Sequence, residues 1–324
     1  MKTFTDIRAA ETLSRHTLSG ETMGTRWTAV FYAGQAIDAQ AIAAALAQRV
    51  GAVDRRMSTW NPASDLMRLN AAPLGIWVDV AADLATVLTA GLRIGAQTGG
   101  SFDLGVGDLV AACGFGAAAG TPDQAHAARR ATEAYRPASE SIDVDEAGAR
   151  VRKRGDIALD LSGIAKGFGV DELARCLDEW GVSSFLVGID GEMRAGGTKP
   201  GGMPFQVAVE RPDVGRRAVM RVIGLADAAI ATSGDYRHFI DVGGRRVSHT
   251  MDPRLGRPLR NQLASVTVLA ATCMEADAYA TALMVLGEEA GPNFAAARGM
   301  DALFVLRDGE ALRECSVGCF AAPG

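Results

Sequence analysis

The sequence contains no apolar run long enough to cross a membrane as a helix. It also has no surplus of positive charge: 33 Lys and Arg stand against 38 Asp and Glu, a formal net charge of −5. The first absence excludes a helical integral membrane protein. The second argues against a nucleic-acid binder, which normally carries a basic face, but leaves an anionic small ligand open, because local field matters more than net charge. Cysteine is sparse and odd in number, at Cys113, Cys176, Cys273, Cys315 and Cys319. Cys315 and Cys319, four apart with no histidine nearby, do not read as a zinc site. The five read as reduced core thiols. Histidine occurs four times, and no Ser–His–Asp spacing or Cys–His pair supports a nucleophilic hydrolase. The first eight residues, Met1 to Arg8, lack the apolar core of a secretory signal. The expectation is a cytoplasmic protein, or a periplasmic one if a leader has been removed.

What is present is a glycine-rich chain of 324 residues with alternating helical and strand signals. Residues 1–18 are polar and without periodicity, and read as an N-terminal arm ahead of a single domain over 19–324. Met23-Gly24-Thr25 leads into a strand at 27–32. Helical spacing appears at 39–53, 81–95 and 123–135, and again at 274–286. Short strands follow one another from 142 to 159 and from 184 to 231, with further strands at 265–270 and around Phe304 and Val305. The basic run Arg152-Lys153-Arg154 reads as a solvated hairpin end. Early helices and antiparallel-looking strands in the middle make the fold class α+β, with mixed or antiparallel sheets flanked by helices. There is no internal repeat and no low-complexity linker.

Four places offer chemistry. The corner Asp160–Asp171 follows an apolar run at 157–159, predicted to be a strand, and opens into a helix. It holds Asp160, Lys166 and three glycines, Gly163, Gly167 and Gly169. A helix start with free N–H groups and a lysine suits a phosphate, although neither familiar nucleotide loop is present at this corner. A plain strand–turn–helix with a solvated lysine is the competing reading. Asp277 and Thr281 lie four apart on a predicted helix, so carboxylate and hydroxyl share a face. Hard oxygens of that kind suit Mg²⁺, while an acid near a helix start also serves the dipole alone. His249 lies in a polar turn before Asp252-Pro253 and can accept a proton near neutrality, or be an ordinary surface residue. Trp60, beside Asn61-Pro62 on a loop, can stack on a planar ligand or cap the core. Asp103, in the glycine-rich corner 101–107, can face a ligand or cap the turn.

Taken together, Met23-Gly24-Thr25, Met57-Ser58-Thr59-Trp60, Gly99-Gly100-Ser101-Phe102-Asp103, Leu159-Asp160-Leu161-Ser162-Gly163-Ile164-Ala165-Lys166-Gly167, Thr232-Ser233-Gly234-Asp235-Tyr236, His249-Thr250-Met251-Asp252-Pro253 and Ala276-Asp277-Ala278-Tyr279-Ala280-Thr281 occur in an order that resembles the ApbE family of FAD:protein FMN transferases. The resemblance spans roughly residues 19–287. It implies an ApbE-like α+β fold and a reaction in which FAD is cleaved at its pyrophosphate, FMN passes to a threonine hydroxyl of an acceptor flavoprotein, and AMP leaves. It further implies FAD contacts at Met23, Trp60, Ser101, Phe102, Asp103, Asp160, Lys166, Thr250 and Met251. It implies Mg²⁺ ligands at Asp277, Thr281 and the backbone oxygen of Gly163, with His249 as general base. Trp60 stands where many members have tyrosine, and Leu255 where Thr or Ser is common. Two other readings share these residues: a Mg²⁺-dependent FAD pyrophosphatase yielding FMN and AMP, and a non-catalytic FAD carrier.

Overall fold

The structure is a computed structural model of the 324-residue chain. It describes residues 13–116, 122–213, 215, 217–236, 239–242, 245–309 and 311–321. Its centre is an eight-stranded sheet made of β1 (Ser14–Thr22), β2 (Thr25–Ala33), β3 (Phe185–Ile189), β4 (Glu192–Gly196), β5 (Ala228–Gly234), β6 (Leu263–Ala270), β7 (Asp301–Asp308) and β8 (Ala311–Val317). Strand order along the sheet is strand order along the chain, and every neighbouring pair is antiparallel. The sheet is thus one long meander interrupted by excursions. Those after β2, β5 and β6 carry most of the chemistry.

β1 and β2 are joined by Met23 and Gly24, both at positive φ, 48° and 69°. A two-residue hairpin turn of this hand matches the twist of the strands it joins. Glycine adopts it without strain, whereas Met23 is held there at a cost of about 1–2 kcal/mol. Residues 14–18, expected in an N-terminal arm, are instead the first half of β1, which runs across the expected boundary at residue 19. Of the remaining arm residues, 1–12 lie outside the described residues. β1 escaped the sequence because it is an edge strand that alternates between exposed and half-buried positions and reaches full burial only at Thr22. Its inward face is marked by His16, whose ring stacks on Phe31 at 5.0 Å.

Four long helices cover the sheet and its excursions: α1 (Ala39–Met57), α2 (Ala82–Gln97), α3 (Ala165–Glu179) and α4 (Cys273–Ala297). α1 starts at Asp38, whose carboxylate accepts from the N–H groups of Gln40 and Ala41, a capping role that satisfies two orphan donors. Ile42, Leu46, Val50, Val53 and Met57 form its buried stripe, the spacing of a helix packed on one side. α3 is buried over most of its length. Val170, Leu173 and Leu177 join Trp27 and Phe31 of β2 and Val187 of β3 in one core cluster. α4 packs Leu283 and Met284 on Val266 and Val268 of β6 and Phe304 of β7. Spacing predicts a helix over 274–286; the structure continues to Ala297 past a break at Gly287, φ 85°. Asn261 Nδ2 donates to the Met284 carbonyl at 2.7 Å near that break.

Two readings change here. Lys153 is buried rather than solvated, and its ammonium donates to the Asn70 carbonyl at 2.6 Å. It lies in a short three-stranded sheet whose middle strand is Arg150–Lys153, so its direction alternates with that of its half-buried neighbour Arg152. Of the cysteines, all free, Cys113, Cys176 and Cys273 are core thiols as expected; Cys315 is half-buried and Cys319 exposed, because the chain there forms an edge strand and the turn after it. Among the described residues no helix is long and apolar enough to cross a membrane.

Candidate active site

A single cleft of about 770 Å³ is lined by Met23, Ser101, Phe102, Asp103, Asp160, Gly163, Lys166, His249, Thr250, Met251, Asp277 and Thr281. These come from the β1–β2 turn, the long excursion between β2 and β3, the β5–β6 excursion, and α4. Trp60 is not among the lining residues. Its side chain is 67 % exposed on the loop after α1, so it is neither a core cap nor a wall of the cleft in this arrangement.

Asp277 is placed by the crossing of α3 and α4. The carboxylate of Asp171, on α3, accepts from the N–H groups of Cys273 and Met274 at 2.9 Å each, and the Arg194 guanidinium closes on it at 2.7 Å. This clamps the start of α4 to α3 and sets which α4 residues face the cleft. Asp277, one turn further along, accepts from the Gly167 N–H at 3.0 Å, and Thr281 follows after another turn. The helices meet at Gly167: a Cβ there would collide with the Cys273 carbonyl and lie 2.8 Å from Asp277 Cβ. Gly167→Ala is therefore expected to destabilise the fold by roughly 1–3 kcal/mol through overpacking, read as a lowered melting temperature; an unchanged melt would mean the helices can part freely at this point.

Asp277 is buried, and burial first, then the Glu192 carboxylate, pushes its carboxyl up to about 7. Lys166 answers only part of this. Burial pulls its ammonium down, but the carboxylates of Glu192, Asp277 and Asp190 outweigh that and hold it above the usual lysine range. Its Nζ donates to Glu192 Oε1 at 2.5 Å and lies 3.8 Å from Asp190 Oδ2. The solvated-lysine reading is thereby replaced by a lysine held in acidic surroundings. Three carboxylates act on one ammonium, which leaves a surplus of negative charge. Thr281 Oγ1 shares a hydrogen bond of 3.0 Å with Ser233 Oγ. Gly163 lies close by, where a Cβ would sit 3.1 Å from Thr281 Oγ1 and 3.3 Å from the Phe102 ring. Among the described residues no three His, Cys, Asp or Glu side chains are grouped to hold a metal. Any ion here would rest on one carboxylate with hydroxyl and backbone oxygens.

The run at 157–159, predicted to be a strand, belongs to no sheet. Asn70 stands in for a partner strand: its side-chain amide donates to the Leu159 carbonyl at 3.0 Å and accepts from the Leu159 N–H at 2.8 Å. Asp160 follows, buried, its Oδ1 accepting from the Ser162 N–H at 2.7 Å and so shaping the corner. Asp103 acts mainly as a turn cap: its carboxylate accepts from Gly105 N–H at 2.7 Å, Tyr135 O–H at 2.6 Å and Ala138 N–H at 3.0 Å. Burial and that carboxylate raise the Tyr135 phenol far above its usual range. His249 lies edge-on to Phe115, ring centroids 6.4 Å apart, and Met251 is buried against Leu109 and Cys113. Leu255 is half exposed and outside the cleft lining. Sequence reasoning assigned no role to Glu192, Asp190, Ser233, Asn70 or Tyr135. Ser233 alone lay inside a recognised motif.

An antiparallel sheet whose excursions bring acids, hydroxyls, a lysine and a histidine to one cleft defines an α+β enzyme scaffold. The ApbE family model matches residues 23–304, and the chain belongs to that family. It is 36 % identical over 304 residues to an FAD:protein FMN transferase of Klebsiella pneumoniae (strain 342), covering 91 % of this chain and 85 % of that one. It is 36 % identical over 308 residues to the FAD:protein FMN transferase of Vibrio cholerae (serotype O1, Classical Ogawa 395), covering 94 % and 91 %. Its structure is similar to that of the flavin transferase ApbE from Vibrio cholerae, with a TM-score of 0.84, 34 % identity and coverage of 95 % and 99 %. It is also similar to the apo Pseudomonas stutzeri flavinyl transferase ApbE, with a TM-score of 0.84, 32 % identity and coverage of 96 % and 98 %.

Proposed function

We propose that this chain transfers FMN from FAD to the hydroxyl of a threonine on an acceptor protein and releases AMP. The observation that carries the proposal is the gathering of Lys166, His249, Asp277 and Thr281, from three separate excursions of the sheet, along one cleft. In the reaction the acceptor oxygen forms a bond to the FMN phosphorus as the bond from that phosphorus to the AMP oxygen breaks. The acceptor proton goes to His249, and AMP carries away the electron pair of the broken bond. Lys166 and the corner at Asp160 would hold the pyrophosphate.

A divalent cation fits the residues present. Asp277 is a buried carboxylate without enough positive charge nearby, and Thr281 Oγ1 and the Gly163 carbonyl are hard neutral oxygens, a donor set suited to Mg²⁺. When bound there, Mg²⁺ would neutralise charge that develops on the leaving phosphate.

Trp60 tests the edge of the site. Its side chain is largely exposed, so Trp60→Ala should alter stability by no more than about 0.5 kcal/mol. FAD affinity, followed by flavin fluorescence, is expected to fall in Trp60→Ala and to be largely kept in Trp60→Tyr, whose ring also stacks. Equal affinities in all three proteins would leave Trp60 out of the site. The overall reading is tested by mixing the protein with FAD, Mg²⁺ and a candidate acceptor. Flavin fluorescence should survive a denaturing gel on the acceptor band, with one AMP per flavin. FMN and AMP without labelled acceptor would favour the pyrophosphatase reading, and FAD bound but left intact would favour the carrier.

A further inference from the structure

Glu192 is the least exposed acid among the described residues, at 3 %, and nothing in the reaction above uses it. It begins β4, directly after a turn in which Asp190 takes a positive φ of 56°. Both of its oxygens are engaged: Oε1 accepts from Lys166 Nζ at 2.5 Å and Oε2 from the Gly191 N–H at 3.2 Å. Lys166 stands in the first turn of α3, one residue before the Gly167 N–H that holds Asp277. Its ammonium therefore lies between acids on two sides, Glu192 and Asp190 on β4 and its turn, and Asp277 on α4. A lysine ammonium is a point charge on a flexible stem and follows the carboxylate that is fixed closest to it.

We propose that Glu192 is a positioning residue that anchors Lys166 on the β4 side of the cleft, so that the ammonium does not close onto Asp277 and the Asp277 carboxylate stays open to a divalent ion. The inference rests on the function proposed above. Without the anchor, Lys166 would pair with Asp277 and compete with the ion for it. Burial of Glu192 and the Gly191 N–H on its Oε2 fix the carboxylate that Lys166 meets, and an exposed acid would let the lysine wander.

The test measures Mn²⁺ binding by electron paramagnetic resonance in the presence of FAD, for the full-length protein and for Glu192→Gln, Lys166→Met and the double variant. Glu192→Gln is expected to weaken Mn²⁺ binding on the order of tenfold or more, because a competing cation at close range acts strongly in a poorly solvated site. In the Lys166→Met background the same substitution should change binding little, since no ammonium remains to compete. Weakening of equal size in both backgrounds would show a general field effect of the Glu192 charge and overturn the anchoring role. Unchanged binding in Glu192→Gln would overturn it as well. If Glu192→Gln does not fold, Glu192→Asp takes its place: the shorter side chain should hold Lys166 less well, and Lys166→Met should relieve the defect. A protein that binds FAD but no Mn²⁺ before any substitution removes the metal reading and the inference with it, an outcome distinct from failure of the anchor alone.

Discussion

Asp277→Ala is expected to abolish cleavage of FAD while leaving a folded protein. Asp277 is the only carboxylate in the set proposed for the divalent ion, and Thr281 and Gly163 contribute neutral oxygens. Losing it would remove the charge proposed to hold the ion. Metal stabilisation of a developing phosphate charge is worth several kcal/mol, and about 4 kcal/mol corresponds to ~10³ in rate. AMP release, followed by chromatography under saturating FAD, should fall by at least that order. EDTA should do the same to the unsubstituted protein, and excess Mg²⁺ should reverse only the chelator. Asp277→Asn separates charge from shape, since its amide oxygen can still accept from the Gly167 N–H. Because burial and Glu192 raise the Asp277 carboxyl to about 7, its charged form is disfavoured in the folded, metal-free protein. The Asn variant should therefore melt no lower than the unsubstituted protein in chelator above neutral pH. Full AMP release by the folded Ala variant, or in chelator, would sink the metal reading.

His249→Ala is expected to slow transfer by about 10²–10⁴-fold, the usual contribution of a general base, with FAD affinity little changed. The residue lines the cleft in the β5–β6 excursion, while the groups proposed for the pyrophosphate and metal come from the corner before α3, from α3 and from α4. Loss of the imidazole should therefore remove the proton acceptor without emptying the site. Single-turnover transfer and an FAD titration on the same preparation distinguish the outcomes. Unchanged transfer would make His249 a bystander. A rate loss matched by weaker FAD binding would make it a binding residue.

Much of the site was legible because its signals are local. Asp277 and Thr281 share a face by helical period alone. His249 falls in a polar turn. What stayed hidden involves partners far apart in the chain. Asn70 substitutes for a strand beside Leu159 across 89 residues, and no pattern around either residue announces it. Glu192 begins an ordinary strand and acquires meaning only beside Lys166. Asp103 combines both of its readings: its carboxylate caps the local turn through the Gly105 N–H, holds Tyr135 and Ala138 from far along the chain, and still lines the cleft. β1 was misread as part of an arm because an edge strand needs no continuous apolar face.

The sequence by itself determined the α+β class, the main helices and the side on which each helical residue projects, since backbone periodicity follows from local sterics. Only the tertiary structure decided which charges meet. Asp171 on α3 holds the first N–H groups of α4, and Gly167 lets the two helices approach closely enough for its own N–H to reach Asp277. Whether Asp277 is a solvated helix-start acid or a buried carboxylate is set by that approach, because desolvation depends on what packs around a group rather than on its neighbours in the chain.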